Sequence, residues 1–370
     1  MATLGDDTLV GATGPDSIDG LAGDDVIVGF GGNDTLAGGA GDDLIFAPNP
    51  LIPPDQQSPA DASLGGGTGN DEIIPGPGNV TVDGGHGQDI LAYAAATGGV
   101  HVDLAVTGPQ VVGGGMGVET IRSIEFVLAT PFNDTLLGAN QTDYVEVFGP
   151  GPGDDYVDGR GGQNVVEYSD ASSGVTVNLN LADPQTIGGG EGVDTLRNIQ
   201  VAAGGQFGDH LIGDAGQNTL IGNSGDDTLE GGAGKDLIIG NSAPILGSDN
   251  DYIDGGPGYD SVRFTGAISD YSFDLQPGGK LVVRDLRPGS PDGTDTLVNV
   301  EALQFAPVAI DSHGNIIPAP DVPIGVVWAY ERLHQAAENA PPAAQQALEH
   351  AADQLVAHSR GLFAADAFAV

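Results

Sequence analysis

Aspartate stands at Asp7, Asp16, Asp25, Asp34 and Asp43, nine residues apart without a slip. Gly5, Gly14, Gly23, Gly32 and Gly41 precede each by two residues, and Leu9, Ile18, Ile27, Leu36 and Ile45 follow each by two. Carboxylates and glycine carbonyls are hard oxygen donors, suited to a cation that accepts about 6–8 oxygens in flexible geometry. A zinc site would draw on His or Cys, and the chain has no cysteine. To bring such donors together the chain needs a repeating scaffold. A strict period of nine fits neither a 3.6-residue helix nor a long alternating strand, and it signals a solenoid of stacked turns. Glycine supplies the tight turns, and the aliphatic residue points inward from a very short strand while its neighbours point out.

Composition agrees. The 370 residues include 41 Asp and 11 Glu against 10 Lys and Arg, a formal charge of −42, and 62 glycines. Glu is the better helix former, whereas Asp favours turns and caps. Phosphate binding needs clustered positive charge, so neither nucleic acid nor an anionic membrane surface is an expected partner. Disorder is disfavoured because hydrophobic residues make up 39% and are regularly placed. No run approaches 18 apolar residues, so no transmembrane segment is expected. Met1 to Val10 lack the basic and apolar regions of a Sec-type signal peptide.

The fullest units are Gly231-Gly232-Ala233-Gly234-Lys235-Asp236-Leu237-Ile238-Ile239, Gly66-Gly67-Thr68-Gly69-Asn70-Asp71-Glu72-Ile73-Ile74 and Gly38-Gly39-Ala40-Gly41-Asp42-Asp43-Leu44-Ile45-Phe46. They resemble the Gly-Gly-x-Gly-x-Asp-x-aliphatic-x nonapeptide of the repeats-in-toxin (RTX, hemolysin-type) calcium-binding family. The resemblance implies an all-β chain, a parallel β-roll or β-helix solenoid in which two nonapeptides make one 18-residue coil. Asp7, Asp25 and Asp43 would then stack along one edge, and Asp16 and Asp34 along the other. Stacked strands lie about 4.8 Å apart, where two carboxylates repel by roughly 1 kcal/mol even in bulk water. Such a stack needs counter-cations, and the ligands favour Ca2+, several ions per chain. The implied metal residues are Asp7, Asp16, Asp25, Asp34, Asp43, Asp71, Asp89, Asp134, Asp143, Asp155, Asp209, Asp227, Asp236, Asp251 and Asp260. Gly5, Gly14, Gly23, Gly32, Gly41, Gly225 and Gly234 join them through their carbonyls. The competing reading is a glycine-rich solenoid whose aspartates merely cap turns.

Along the chain, residues 1–46 form the first nonapeptide run, and 47–64 form a Pro-rich insertion expected to loop out. Residues 65–260 resume the roll, with Val80 in an Asp slot where it cannot ligate, and with Asn164 and Asn218 able to offer an amide oxygen but no charge. Residues 82–138 match 157–213 without a gap at an offset of 75, with 25 identities over 57 positions. That is an internal duplication, and its splice into nonapeptide rhythm suggests a continuous solenoid. Residues 261–320 read as a β-rich cap, where Asp295-Thr296-Leu297-Val298-Asn299-Val300 echoes Asp194-Thr195-Leu196-Arg197-Asn198-Ile199. Residues 321–370 turn alanine-rich, with helical spacing through Ala344, Leu348, Ala351 and Leu355. The closing stretch 362–370 resembles the uncleaved signal of type I secretion substrates, which implies a type I apparatus as partner and a secreted or cell-surface location in a Gram-negative bacterium.

Catalytic motifs are missing from the sequence. It holds no His-Glu-x-x-His, no Gly-x-Ser-x-Gly elbow and no phosphate-binding Gly-Lys-Ser/Thr loop. His86, His101, His210, His313, His334, His350 and His358 show no paired ligand spacing and read as structural or exposed. A non-catalytic calcium-binding protein is the expected function. The alternatives are a calcium-dependent adhesion or matrix protein with a cell-surface or polysaccharide ligand, and a β-helix polysaccharide lyase or epimerase drawing on Arg122, Arg160, Arg197, Arg263, Arg284 and Arg287.

Overall fold

The computed structural model describes residues 2–48, 53–241 and 249–306, with 309–310, 316–317, 322–324 and 327. The C-terminal helical stretch and the 362–370 tail therefore lie outside the described residues. Two compact units arise, residues 1–172 with 181–199, and residues 173–180 with 200–370. Each is built of short parallel strands stacked coil upon coil. This is the parallel β-roll.

In the first unit one sheet runs through Thr8–Val10, Val26–Val28, Leu44–Phe46, Glu72–Ile74, Ile90–Ala92 and Phe126–Leu128. The middle residues pair in register, Ile27 with Ile45, Ile45 with Ile73, Ile73 with Leu91, and Leu91 with Val127. All five are fully buried. The facing sheet lines up Leu36, Leu64, Val82 and Ile121 in the same way. Three-residue strands suffice because only the central side chain must leave water, and burying one aliphatic side chain contributes roughly 1.5–3 kcal/mol. The second unit repeats the device, stacking Ala202, Leu220, Ile238, Val262 and Leu303 on one sheet and Val177, Leu211, Leu229, Ile253 and Leu297 on the other.

Insertions leave the stack in register. Leu44 pairs with Glu72 across a 28-residue coil, and Thr228 pairs with Tyr252 across 24 residues. The Pro-rich stretch holds a 3-10 turn at Pro54–Gln56, but the strand Ala62–Thr68 begins inside the range expected to loop out. Ser63 pairs with Thr35 there, so the roll reclaims the chain as soon as its small residues fit.

The β-rich cap is an antiparallel meander of Tyr271–Leu275, Leu281–Asp285 and Thr294–Val298 in the second unit. Phe264, Tyr271, Phe273 and Phe305 pack their rings 5.1–5.9 Å apart beneath it. The Arg287 guanidinium bridges Asp285 at 2.7 Å and Asp292 at 3.0 Å. Turning from parallel to antiparallel pairing covers a ladder that would otherwise remain open to other chains.

Candidate metal centre

The repeat aspartates form ladders. The Asp7 N–H donates to Asp25 Oδ1 at 2.7 Å, Asp25 to Asp43 at 2.8 Å, Asp43 to Asp71 at 2.9 Å, and Asp71 to Asp89 at 2.9 Å. Asp16 donates to Asp34 on the other edge at 3.0 Å. Asp134 donates to Asp155, and Asp155 to Asp194. In the second unit the series are Asp209, Asp227, Asp251 and Asp295, and Asn218, Asp236, Asp260 and Glu301. Each accepting aspartate thus spends Oδ1 on the backbone of the preceding coil. An outer, exposed ladder runs the opposite way, from the N–H groups of Asp24, Asp42, Asn70 and Gln88 to the side-chain oxygens of Asp6, Asp24, Asp42 and Asn70.

The second oxygen of the inner ladder is the chemically informative one. Oδ2 of Asp25, Asp34, Asp43, Asp71, Asp89, Asp155, Asp227, Asp236, Asp251 and Asp260 is buried and has no hydrogen-bond partner. None of these residues is more than 3% exposed. A carbonyl faces many of them. A Cβ added at Gly20 would collide with both Asp25 Oδ2 and the Gly38 carbonyl. The same cradle recurs at Gly38 with Asp43 and Gly66, at Gly66 with Asp71 and Gly84, at Gly222 with Asp227 and Gly240, and at Gly231 with Asp236 and Gly255. Two acceptors facing each other in a dry gap have nothing to share except a cation or a donor that the protein does not supply.

Burial raises the carboxyls of Asp34, Asp43, Asp71, Asp89, Asp155, Asp227, Asp236, Asp251 and Asp260, and neighbouring carboxylates raise them further. Asp227 is pushed up to about 9, Asp155 to about 8, Asp251 to about 7, and Asp71 and Asp260 to about 6. Backbone N–H groups on Oδ1 oppose the rise without cancelling it.

Other expected ligands take different places. Oδ2 of Asp7, Asp16, Asp134 and Asp209 accepts the N–H four residues earlier, from Thr3, Ala12, Thr130 and Gly205. These four close their own turns, as a capping role requires. The ladder place next to Glu125 belongs to Glu146, because Phe126 pairs with Val147; the Asp143 side chain lies outside the described residues. Gly23, Gly32, Gly41, Gly225 and Gly234 adopt positive φ, from 111° to 142°, in the turns just before the ladder aspartates. Gly5 and Gly14 do not share that conformation, and a Cβ on either would meet nothing. Asn218 does not offer a free amide oxygen to an ion, because its Oδ1 takes the Asp214 N–H at 2.8 Å, whereas the Asn164 Nδ2 donates to the Asn198 carbonyl at 2.9 Å.

Ladder residues outside the nonapeptide rhythm come from a seven-residue phrase present three times, 119–125, 194–200 and 295–301. Its first residue, Glu119, Asp194 or Asp295, sits on one edge, and Glu125 or Glu301 receives the other edge's ladder bond six residues later. Ser123, Asn198 and Asn299 turn the corner at φ 50°, 53° and 50°. Tyr93 and Tyr168, equivalent in the duplication, each donate a buried hydroxyl to the leading acid, Glu119 at 2.9 Å and Asp194 at 2.7 Å.

Among the described residues no three acidic or imidazole side chains converge on one point. An ion held here must therefore draw most of its oxygens from backbone carbonyls, which suits a large, flexible coordination shell. The family model for the RTX calcium-binding nonapeptide repeat (4 copies) matches residues 1–29, 28–47, 65–95, 151–167, 203–241 and 245–262. The chain carries RTX calcium-binding nonapeptide repeats. These repeats bind calcium ions, and the orphaned Oδ2 atoms with their facing carbonyls fit that ion. The RTX matches include every residue of the orphaned set, and they skip 96–150, which holds the first long coil of the duplication. Comparison with curated proteins finds no match. Three of the arginines have acidic or aromatic partners within their own unit. Arg160 pairs with Asp103 at 2.7 Å, Arg287 with the cap acids, and Arg197 lies 5.9 Å over the Tyr156 ring.

Proposed function

We propose that this chain is a secreted, non-catalytic calcium-binding β-roll protein whose folding is driven by extracellular Ca2+. The observation that carries the reading is the set of ten buried, partnerless Oδ2 atoms strung along the inner ladders. In this reading Asp25, Asp34, Asp43, Asp71, Asp89, Asp155, Asp227, Asp236, Asp251 and Asp260 are the ligands. Asp7, Asp16, Asp134 and Asp209 end their ladders as turn caps. The ion neutralises a column of like charge and ties each carboxylate to a carbonyl of the next coil.

Gly38→Ala tests the pocket directly. Gly38 does not have positive φ, so strain alone does not oppose alanine, yet its Cβ would fill the space between Asp43 Oδ2 and the Gly66 carbonyl. The variant is expected to bind one calcium fewer by equilibrium dialysis. Gly108→Ala, whose Cβ would meet nothing, is expected to keep the full count. Equal counts in both variants would remove the proposed pocket.

Proteins with RTX repeats are typically secreted by Gram-negative bacteria, and no described helix is long and apolar enough to cross a membrane. Export by a type I apparatus, addressed through residues 362–370, is part of the proposal. Deleting 362–370 is expected to leave calcium-dependent β structure intact and to abolish appearance in the medium of a type I-competent host. Undiminished secretion would move the address elsewhere. The non-catalytic reading predicts no unsaturated or epimerised product after incubation with alginate and related uronates.

A further inference from the structure

The internal duplication places one pocket twice in the same chain, and the two copies solve one electrostatic problem in different ways. In the first copy Asp89 is fully buried, and its Oδ1 accepts the Asp71 N–H. Asp89 Oδ2 has no partner. A Cβ at Gly84 would strike both Asp89 Oδ2 and the carbonyl oxygen of Ser123. Ser123 is not part of a nonapeptide. It is the left-handed corner of the 119–125 phrase, at φ 50°. Its carbonyl occupies the place that a glycine carbonyl of the next coil holds in the regular cradles.

At an offset of 75, Gly84, Asp89 and Ser123 become Gly159, Asn164 and Asn198. Asn198 turns the same corner at φ 53°. A Cβ at Gly159 would meet the Asn164 carboxamide. Here the carbonyl is not left facing an acceptor. Asn164 Nδ2 donates to the Asn198 oxygen at 2.9 Å and lies 3.4 Å from the Gly161 oxygen. A carbonyl can only accept, so the nitrogen of the amide must point that way.

We infer that Gly84, Asp89 and the Ser123 carbonyl form a hybrid calcium site, half nonapeptide and half corner phrase, and that in its duplicate the Asn164 amide stands in for the ion. The inference rests on the calcium reading of the ladders. Its logic is charge as well as geometry. The Asp89 N–H donates to Glu125, so the first pocket lies in a column of carboxylates from Asp71 through Asp89 to Glu125, and only a cation relieves both the facing acceptors and the like charges. In the second copy a neutral donor removes the charge and bridges the gap at once. The cation version recurs in the second unit, where a Cβ at Gly255 would meet the Asn299 carbonyl and Asp260 Oδ2, with Asn299 at φ 50°. The gap between Asn164 and the Asn198 carbonyl therefore closes without calcium, whereas the duplicate gap between Asp89 and the Ser123 carbonyl does not.

A reciprocal swap tests this. Asp89→Asn should bind one ion fewer than wild type and need less calcium to complete its β signal. Asn164→Asp should bind one ion more and need more calcium. The double variant should return to the wild-type count. Equilibrium dialysis against Ca2+ alone counts the ions, and circular dichroism in titrated calcium shows that each chain is folded when counted. A folded Asp89→Asn with an unchanged count overturns the hybrid site. A folded Asn164→Asp with no added ion overturns the substitution, and if that variant fails to fold in millimolar calcium, Asp89→Asn alone decides. Wild-type protein that binds no calcium would instead overturn the underlying reading of the ladders.

Discussion

With calcium chelated at neutral pH, the chain is expected to lose most of its β signal, and added Ca2+ is expected to restore it cooperatively. Among the described residues ten buried aspartate Oδ2 atoms lack partners. Leaving a buried acceptor unsatisfied costs about 1–3 kcal/mol, and more when it is charged. Ten such groups together reach on the order of 10–30 kcal/mol, against a stability of about 5–15 kcal/mol for a whole domain. Ions reverse the balance by mass action, each occupied site adding roughly 1.4 kcal/mol at tenfold excess over its dissociation constant. The pH dependence without calcium has a definite sign. Five of these carboxyls have folded pKa values raised well above the ordinary 3.8, to about 6 for Asp71 and Asp260, about 7 for Asp251, about 8 for Asp155 and about 9 for Asp227. Their contribution to folding is fully present below about pH 4 and is lost as pH rises through 6 to 9. In EGTA, more β structure is therefore expected at pH 5 than at pH 8, with pH 5 still above the sequence pI of 4.1. With calcium present the proton becomes a competitor, so the calcium midpoint should rise as pH falls from 8 to 5. A β signal complete in EGTA at pH 8, indifferent to several millimolar calcium, would sink the coupling of folding to the ion.

What the sequence made legible follows the residues whose period is unbroken. The aspartates from Asp7 to Asp43, and Asp209, Asn218, Asp227 and Asp236, keep a spacing of nine, and their ladders appear where that spacing puts them. The offset of 75 likewise foretold equivalent long coils, down to the shared Tyr93 and Tyr168 hydroxyl bonds. Glu125, Asp194, Asp295 and Glu301 escaped because they join the ladders from a corner that spans six residues instead of nine. The signal was present in three related phrases, but a search at one period cannot see a turn of another length. The division between bare and hydrogen-bonded Oδ2 atoms was also hidden. Asp209 and Asp227 look alike in sequence, and only folding shows that Gly205 N–H occupies one Oδ2 while the other is left bare. Asn164 shows the same limit. Its side chain reads as an uncharged amide, and only its position opposite the Asn198 carbonyl shows that Nδ2 acts as a donor.

Asp25→Ala is expected to lower the melting temperature in millimolar calcium far more than Asp19→Ala, although the two aspartates are six residues apart. Asp25 is 1% exposed and serves two coils. Its Oδ1 holds the Asp7 N–H, and its Oδ2 faces the Gly38 carbonyl across the proposed ion site. Alanine keeps the backbone donor to Asp43 but removes both of those roles. An orphaned N–H costs about 1–3 kcal/mol, and one lost ion roughly 1.4 kcal/mol at tenfold excess. At about 2–4 °C per kcal/mol for a unit of 150–250 residues, the shift should be on the order of 5–15 °C. Asp19 is exposed, and its carboxylate supports only the Leu21 N–H at 3.1 Å, where Leu21 turns at φ 78°. Removing one exposed turn bond should change stability by about 0.5–1 kcal/mol. Asp25→Asn separates the two losses at Asp25. It keeps an acceptor for Asp7, and its amide can donate to the Gly38 carbonyl as Asn164 does to Asn198, so it should melt below wild type in calcium yet above Asp25→Ala in EGTA. Equal melting temperatures for Asp25→Ala and Asp19→Ala would mean that the ladder carboxylates are turn caps and nothing more.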